Sequence, residues 1–358
     1  MTERRQAGFT VTPGPDIFQE PSPPPDPLSS PAPLISVIVL TWNGRRFLAD
    51  CLGSLVGQTM WDFEVILVDN GSSDGTADYV REQFPWVRLV ILPENVGFAE
   101  GNNRGLEEAR GEFIVTLNND TLARPEFLEE LVRPAKADPR VGMVAAKMLN
   151  FFDPGRIDSV GVKVAGNGMG YNIGVGEQDR GQYDEPAEVF GPCAGAALYR
   201  RAMLDQVGFF DPEFFAYYED LDLAWRGRLA GWRCVTAPGA VVYHVHSATS
   251  GKMSPFTVYQ VQRNKWFTLI KNWPASLILR RLPWIISFDL GGLVLALLRG
   301  QGWAALRARG DVLKSMSRLL AKRRLVQAGR RLTTAEIARF LVPADRALST
   351  FARKVAER

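Results

Sequence analysis

The sequence predicts an α/β domain on a doubly wound, largely parallel sheet, followed by a helical C-terminal region. Three observations carry this. Four apolar, β-branched runs recur between residues 34 and 118, separated by helix-compatible segments. Each run ends in polar residues, and the carboxyl ends of strands are where open α/β sheets bind their ligands. Beyond about residue 257 the strand pattern gives way to segments that read as helix to the end.

Residues 1–33 include "PGPDIFQEPSPPPDPLSSPAP". Proline at that density blocks helix and sheet hydrogen bonding, so this is an extended, mostly disordered lead-in. Order begins at "LISVIVLTWN" (34–43), a continuous apolar run suited to a strand buried on both faces, and a helix should follow through "GRRFLADCLGSLVGQ". "FEVILVDNGSSDGT" is a second strand running into a Gly/Ser/Asp loop, with a helix around "ADYVREQF". "VRLVILPEN" is the third strand, "GFAEGNNRGLEEAR" a loop and helix, and "GEFIVTLNNDT" the fourth strand. The polar residues at the four ends are Thr41 and Asn43, Asp69 and Asn70, Asn95, and Asn118 to Asp120. After residue 150 the pattern loosens. "GVKVAGNGMGYNIGVGEQDRGQYDE" reads as a loop or hairpin over the site, "VFGPCAGAALYRRAML" as strand then helix, and "APGAVVYHVHS" as a short strand. No internal repeat is present.

A chain of 358 residues has room for one large or two modest domains. Cys51, Cys193 and Cys234 lie far apart with no CxxC pair, which excludes a disulfide framework or cysteine-ligated zinc and suits a reducing compartment. The start, "MTERRQAGFTVTPGPD", lacks the apolar core of a signal peptide. The net charge of +3 hides an asymmetry: residues 271–358 carry 18 Lys and Arg against 5 Asp and Glu, leaving 24 against 34 in residues 1–270. A basic tail on an acidic body predicts an anionic partner, lipid or nucleic acid. No nucleic-acid recognition motif accompanies it, so no nucleic-acid partner is expected. Within the tail, "LPWIISFDLGGLVLALL" is apolar, yet Asp289 interrupts it and it falls short of the roughly 20 residues that span a bilayer. Arg280, Arg281 and Arg299 flank it, and the basic, amphipathic "ARGDVLKSMSRLLAKRRLVQAGRRL" follows. Interfacial attachment to a membrane surface fits this pattern best; the alternative is packing on the α/β domain or a second subunit.

The motifs narrow the chemistry. "GFAEGNNRG" has no GxGxxG spacing and there is no P-loop, so neither a dinucleotide fingerprint nor a Walker site is supported. "LNND" delivers Asn118, Asn119 and Asp120 to a strand end, as oxygen ligands for a hard cation or as an Asx turn closing the strand. His244 and His246 share one strand face; either is a structural histidine or a metal ligand completed by distant acids. In "FFAYYEDLDLAWRGRLAGW" (214–232), Glu219, Asp220 and Asp222 open a helix ending at Gly231. Acids oppose the positive end of a helix macrodipole, and Asp222 and Arg226 have ion-pair spacing. The same acids are candidates to take a proton from a substrate.

The ordered set "SVIVLTWN", "VILVDNGSSDGT", "ENVGFAEGNNRG", "TLNNDT", "CAGAALYRR", "FDPEFFAYYEDLDLAWRGRLAGW" and "VVYHVHSATS" resembles the family 2 glycosyltransferases over roughly residues 34–270. It is most similar to the bacterial rhamnosyltransferase-like branch that builds cell-surface polysaccharide. The resemblance implies a GT-A fold and inverting transfer of a sugar, with rhamnose from dTDP-rhamnose foremost, from a nucleotide-diphosphate donor to a lipid-linked or polysaccharide acceptor. It implies that Thr41, Asn43 and Asp69 line the nucleotide pocket, Asp69 accepting from the base, and that Asn95 and Asn103 shape it. Asp120 would ligate Mg²⁺ or Mn²⁺ bridging the diphosphate, with Asn118 in the place of the family's first acid and Asn119 beside it. His244 matches the family's late histidine, a further metal or diphosphate contact. Gly195 falls in the acceptor loop, and Asp220 matches the catalytic base, with Glu219 next to it in a companion capping role. Inverting transfer needs a carboxylate to deprotonate the acceptor and a cation for the departing diphosphate, hence acids at two separate places. The division expected is a lead-in (1–33), a GT-A domain (34–270) and a basic helical region (271–358). Removal of the last after about Pro274 would leave a folded domain that binds nucleotide sugar. The protein is expected at the cytoplasmic membrane face, held peripherally. The rival expectation is a nucleotide-sugar- or glycan-binding protein that kept the fold without turnover.

Overall fold

The computed structural model describes residues 32–245 and 254–343. Most of the Pro-rich lead-in, His246 and the end of the basic tail lie outside the described residues. The first half alternates as the apolar runs demand: β1 (Ile35–Thr41), α1 (Arg45–Val56), β2 (Phe63–Asp69), α2 (Thr76–Gln83), β3 (Arg88–Ile91), α3 (Gly97–Glu108) and β4 (Phe113–Asn118). These strands pair in parallel in the order β3-β2-β1-β4. Alternate side chains of each strand enter opposite cores. Val37, Val39, Val65 and Leu67 pack with Leu48, Leu52 and Leu55 of α1, whereas Ile38, Ile66 and Val68 pack on the other face with Ala99 of α3. Burial on both faces is why these strands read as unbroken apolar runs.

The second half departs from a purely parallel, doubly wound sheet. It comprises β5 (Thr121–Ala123), α4 (Phe127–Ala137), β6 (Val141–Asn150), β7 (Ile157–Ser159), β8 (Val162–Ala165), β9 (Gly170–Asn172), β10 (Ala196–Arg200), α5 (Arg201–Val207), α6 (Glu219–Leu229) and β11 (Arg233–His244). β10 inserts antiparallel between β4 and β6, β11 runs parallel to β6, and β5 closes the edge antiparallel to β11. The "short strand" ending at His244 is the second half of a 12-residue strand whose register slips between Ala237 and Val241. The Gly-rich segment forms the β8–β9 hairpin.

The C-terminal region is α7 (Pro255–Asn272), α8 (Ala275–Leu298), α9 (Gly302–Lys314), α10 (Met316–Ala328), α11 (Thr334–Ala338) and β12 (Leu341–Val342). The expectation of helix to the end gives way at β12, which pairs in parallel with β8 and so returns the chain to the hairpin sheet. A division at 270/271 falls inside α7, and Lys271 is among its most buried residues. Lys271 Nζ lies 2.8 Å from Asp222 of α6 and 2.7 Å from Asp211. Asn272 donates to Asp222 at 2.7 Å, and the expected Asp222–Arg226 pair is present at 2.8 Å. From α10, Lys322 reaches Asp211 at 2.7 Å and Arg323 donates to the carbonyls of Ile270 and Trp273. Helices α7 and α10 are therefore fastened to the α/β domain, because Asp222 of α6 has its partners on α7 and Asp211 has its partners on α7 and α10.

Burial opposes charge on Asp222, but Lys271 and Arg226 outweigh it and hold its carboxyl below the ordinary value. Asp211 is held well below that value in the same way, by Lys271 and Lys322 against burial. Depressed carboxylates stabilise the fold fully above their unfolded value near 4, and this contribution is lost as pH falls through it toward the folded values. Breaking a buried pair by removing one partner costs roughly 3–5 kcal/mol. K271M should show a loss of that order at pH 7 by denaturant unfolding. Its stability should also decline less steeply than wild type between about pH 5 and pH 3. Parallel pH profiles would mean that the cluster does not set acid stability.

Candidate active site

The strand order reverses at β1, which has β2 on one side and β4 on the other, so a crevice opens beyond the carboxyl ends of β1 and β4. Thr41 and Asp69 are register partners there, both buried. Asn43 follows Thr41 with a positive φ of 49° and accepts from the Ser73 amide at 2.8 Å, while its own amide donates to Ser72 Oγ. Asp69 accepts from the Ser72 amide at 3.0 Å. Asn70 donates to Asn95 Oδ1 and accepts from the Val96 amide, which fixes the loop leading into α3. Asn103 points elsewhere on α3: it donates to the Phe210 carbonyl at 2.9 Å and to Glu100.

At the end of β4 the three residues of "NND" diverge. Asn119 donates to Thr41 Oγ1 at 2.8 Å, joining the two strand ends. The Asn118 amide lies 3.2 Å from His244 Nε2, and Asp120 Oδ1 is 3.2 Å from the same nitrogen. On the far side of the ring, Nδ1 is 2.7 Å from Asp158 Oδ2 of β7. Burial disfavours charge on His244, but the Asp120 and Asp158 carboxylates outweigh it and raise the ring to about 9. Asp120 and Nε2 converge on one side, and Asp158 fixes the ring from the other, as an outer carboxylate fixes a ligating histidine. Among the described residues no cluster of three or more His, Cys, Asp or Glu side chains could hold a metal ion. Two protein ligands plus an amide oxygen suit a hard cation that takes its remaining oxygens from a bound phosphate group. Cation binding at Nε2 requires release of its proton.

The acid cluster sits across the crevice. Gly195 and Ala194 are bonded to β4, the Gly195 carbonyl by the Asn118 amide at 2.9 Å and the Ala194 carbonyl by Thr116 Oγ1 at 2.7 Å. A Cβ at Gly195 would lie 3.0 Å from Met148 Cε and 3.1 Å from Asn118 Nδ2, so a larger residue there would press on both side chains. The Ala194 amide in turn donates to Asp220 Oδ2 at 3.3 Å, and the Leu221 amide donates to Asp220 Oδ1 at 2.7 Å. Burial pushes the Asp220 carboxyl up, and these backbone donors pull the other way without cancelling the rise. Asp220 remains half-buried and is thus a carboxylate of raised basicity at the crevice. The capping role expected of Glu219 is not made by its side chain: α6 has no side-chain cap, and Glu219 Oε2 is buried without a hydrogen-bond partner. Burial and the neighbouring Asp220 raise the Glu219 carboxyl well above its usual range.

The loop before α6 is held in a costly conformation. Phe215, Tyr217 and Tyr218 have φ of 62°, 69° and 71°. Each non-glycine residue held there costs on the order of 1–3 kcal/mol. Asn264 of α7, fully buried, offsets this by donating to the carbonyls of Phe214, Ala216 and Tyr217 at 2.7–2.9 Å. Phe215 packs so closely on Gly97 that a Cβ there would come within 2.6 Å of its ring, and the Phe215 carbonyl accepts from Ala99. The Tyr218 hydroxyl meets the β8–β9 hairpin at Gly170. One loop thus touches the α3 entry, the hairpin and the helix bearing Asp220. Asp158 and Asn264 are absent from the residues that the sequence singles out; each is a lone polar residue in an apolar or helical stretch, with no spacing motif. N264A should destabilise the fold by roughly 2–4 kcal/mol, the cost of leaving buried carbonyls unpaired. It should also open the 214–218 loop to limited proteolysis. An unchanged cleavage pattern would show that the loop is held without Asn264.

Residues 36–208 match the model of the family described as Glycosyl transferase family 2. The uncharacterized protein y4gI of Sinorhizobium fredii is 30% identical over 239 residues, which are 61% of this chain and 25% of that protein. The chain therefore spans about a quarter of that relative's length. The N-acetylglucosaminyl-diphospho-decaprenol L-rhamnosyltransferase of Mycobacterium tuberculosis is 29% identical over 243 residues, 61% of this chain and 78% of that protein. Among solved structures, GalNAc-T7 with UDP, GalNAc and Mn²⁺ superposes with a TM-score of 0.55 at 13% identity, over 69% of this chain and 49% of that one. This likeness identifies the fold as GT-A. The sequence match to glycosyl transferase family 2 takes in the strands that form the crevice, β1 to β4 and β10, and covers just under half of the chain.

Proposed function

We propose that this protein is an inverting glycosyltransferase of cell-surface glycan synthesis, moving a sugar from a nucleotide-diphosphate donor to a hydroxyl of a lipid-linked or polysaccharide acceptor. One observation carries the reading. Asp120 with His244 and Asp220 flank the same strand end, linked through Asn118, Gly195 and Ala194. Acids are thereby available in two places, one for the leaving group and one for the nucleophile. Rhamnose from dTDP-rhamnose is the first donor to test, supported by the named activity of the mycobacterial relative.

In this mechanism Thr41, Asn43 and Asp69 receive the nucleotide, with Asn95 shaping the loop beside them and Asn103 bracing α3. Asp120 and His244, with the Asn118 side-chain amide oxygen, would hold Mg²⁺ or Mn²⁺. That cation, when bound, neutralises charge developing on the departing diphosphate. Asp220 accepts the acceptor hydroxyl's proton as its oxygen attacks the anomeric carbon from the face opposite the leaving group, and the bond to the diphosphate breaks. Raised basicity suits that role. The exposed basic and apolar surfaces of the C-terminal helices support peripheral attachment to the inner face of a bacterial membrane. A nucleotide-sugar-binding protein without turnover is the second reading, favoured by Asn118 standing where the resemblance expects an acid.

D220N should leave donor binding within a few-fold and lower transfer by at least about 10²-fold, the usual cost of losing a general base. D120A should abolish the dependence of nucleotide binding on Mn²⁺. Donor hydrolysis across a panel of nucleotide sugars identifies the donor, and transfer assays with nucleotide titrations, each with and without Mn²⁺, then measure both variants. Near-normal turnover by D220N would remove the base assignment, and no turnover with any donor would favour the binding protein.

A further inference from the structure

Helix α8 has its polarity inverted. The apolar stretch seen in sequence from residue 283 is part of a 24-residue helix, because Pro283 is accommodated within it and the helix begins directly after Pro274. At about 1.5 Å per residue it is roughly 36 Å long, enough to cross a hydrocarbon core of about 30 Å. The expectation that it is too short to span is therefore corrected. Its inward face carries the charge. Asp289 is buried against Lys265 Nζ at 3.1 Å, Trp266 Nε1 at 2.7 Å and Arg309 Nη2 at 2.8 Å. Its outward face is apolar: Leu279, Leu282, Ile286, Leu290, Val294 and Leu297 follow helical spacing on one side. Leu279 is 70% exposed and Leu290 55%. Trp284 on α8 and Trp303 at the start of α9 are also exposed.

The helix is also fastened along its whole length. Ser276 bonds Thr334 of α11, Leu277 and Ile285 enter the main core, Gln262 of α7 reaches the Gly292 carbonyl, and Ala296 packs with Ala305 and Val258. A spanning orientation would carry α7 and α9 into the bilayer with it, together with Arg263, Lys265, Arg307, Asp311 and Lys314. Charges at the bilayer centre cost several kcal/mol each. We propose that α8 lies in the plane of the membrane interface, its outward stripe in the acyl boundary of an anionic leaflet and both of its ends on the same side. This rests on the peripheral-attachment reading above and specifies its surface and geometry. Arg280, Arg299, Arg307 and Lys314 are exposed on α8 and α9, so lipid phosphates complement the stripe whereas a second copy would bring like charges together. Interfacial tryptophans fit the headgroup level.

The full-length protein is tested by flotation with vesicles of phosphatidylglycerol and phosphatidylcholine. Dyes are placed at L290C and V294C, and an impermeant thiol reagent is applied to S276C and R299C. The result expected is flotation with blue-shifted emission at 290 and 294, and reaction at both 276 and 299 from outside. L290E/V294E should bind at least ten-fold more weakly with an unchanged Tm, since both side chains face outward. Flotation with only one of 276 and 299 reactive would make α8 a spanning helix, overturning this geometry while leaving attachment intact. Salt-labile flotation without a dye shift would reduce attachment to charge alone and overturn it too. Absence of flotation would remove the attachment reading itself, and a dimer dissolved by L290E/V294E would assign the stripe to self-association.

Discussion

The placement of helix α6 depends on the burial of Asp222. Its carboxylate is fully enclosed, and α6 can place it there only because Arg226, Lys271 and Asn272 converge on its oxygens. Lys271 is shared with Asp211, which in turn holds Lys322 of α10. Such a cluster adds little net stability over a well-packed apolar core, yet it tolerates no missing partner. Its consequence is positional. Asp222 lies two residues beyond Asp220, so fixing one sets the rotation of the helix that presents the other. Alternating acids on this helix start thus serve different ends, one enclosed by cations and one left at the crevice.

The strained loop follows from the same constraint. With α6 locked in rotation, the chain arriving from Phe214 must turn within five residues, and it does so through left-handed backbone at Phe215, Tyr217 and Tyr218. Asn264 supplies the compensating bonds, and Arg263 beside it donates to Glu213 and Phe214 carbonyls. Strain of this kind persists only where surroundings over-determine it, and it collects at functional sites. Here the determinants come from both halves of the molecule, Gly97 on the side of the β1–β4 crevice and α7 on the other.

What the sequence makes legible is what local pattern encodes. Strands β1, β2 and β4 are readable because both their faces are buried, and the strand-end polar residues are readable because topology sends ligand sites there. The Asp222–Arg226 pair is legible at helical spacing. The antiparallel insertion of β10 is not, since it depends on pairing between segments more than 50 residues apart in sequence. Asp158 is hidden for the same reason: it lies 86 residues from His244 in a three-residue strand. Asn264 looks like any polar residue in a helix until the carbonyls of residues 214–217 are brought over it. The charge of residues 271–358 is plain in composition, but composition cannot tell that Lys271, Lys322 and Arg309 are spent inside the fold while Arg280, Arg299 and Lys314 face out.

Helix α7 joins these observations into one mechanical unit. Within ten residues it carries Asn264 to the strained loop, Lys265 to Asp289 of α8, and Lys271 with Asn272 to Asp222 of α6. The helix that faces outward with an apolar stripe and the helix that bears Asp220 are therefore fastened to one rigid rod by buried, charge-assisted bonds. Sliding or rotation of either against α7 would strand a buried ion, which is costly enough to exclude free motion. With the stripe of α8 set in a lipid interface, the rod fixes both the height of the crevice above that interface and the direction in which it opens. A lipid-linked acceptor would then meet Asp220 at a distance set by the fold rather than by diffusion of a tethered domain. That arrangement gives a physical reason for the C-terminal helices to be built into the core.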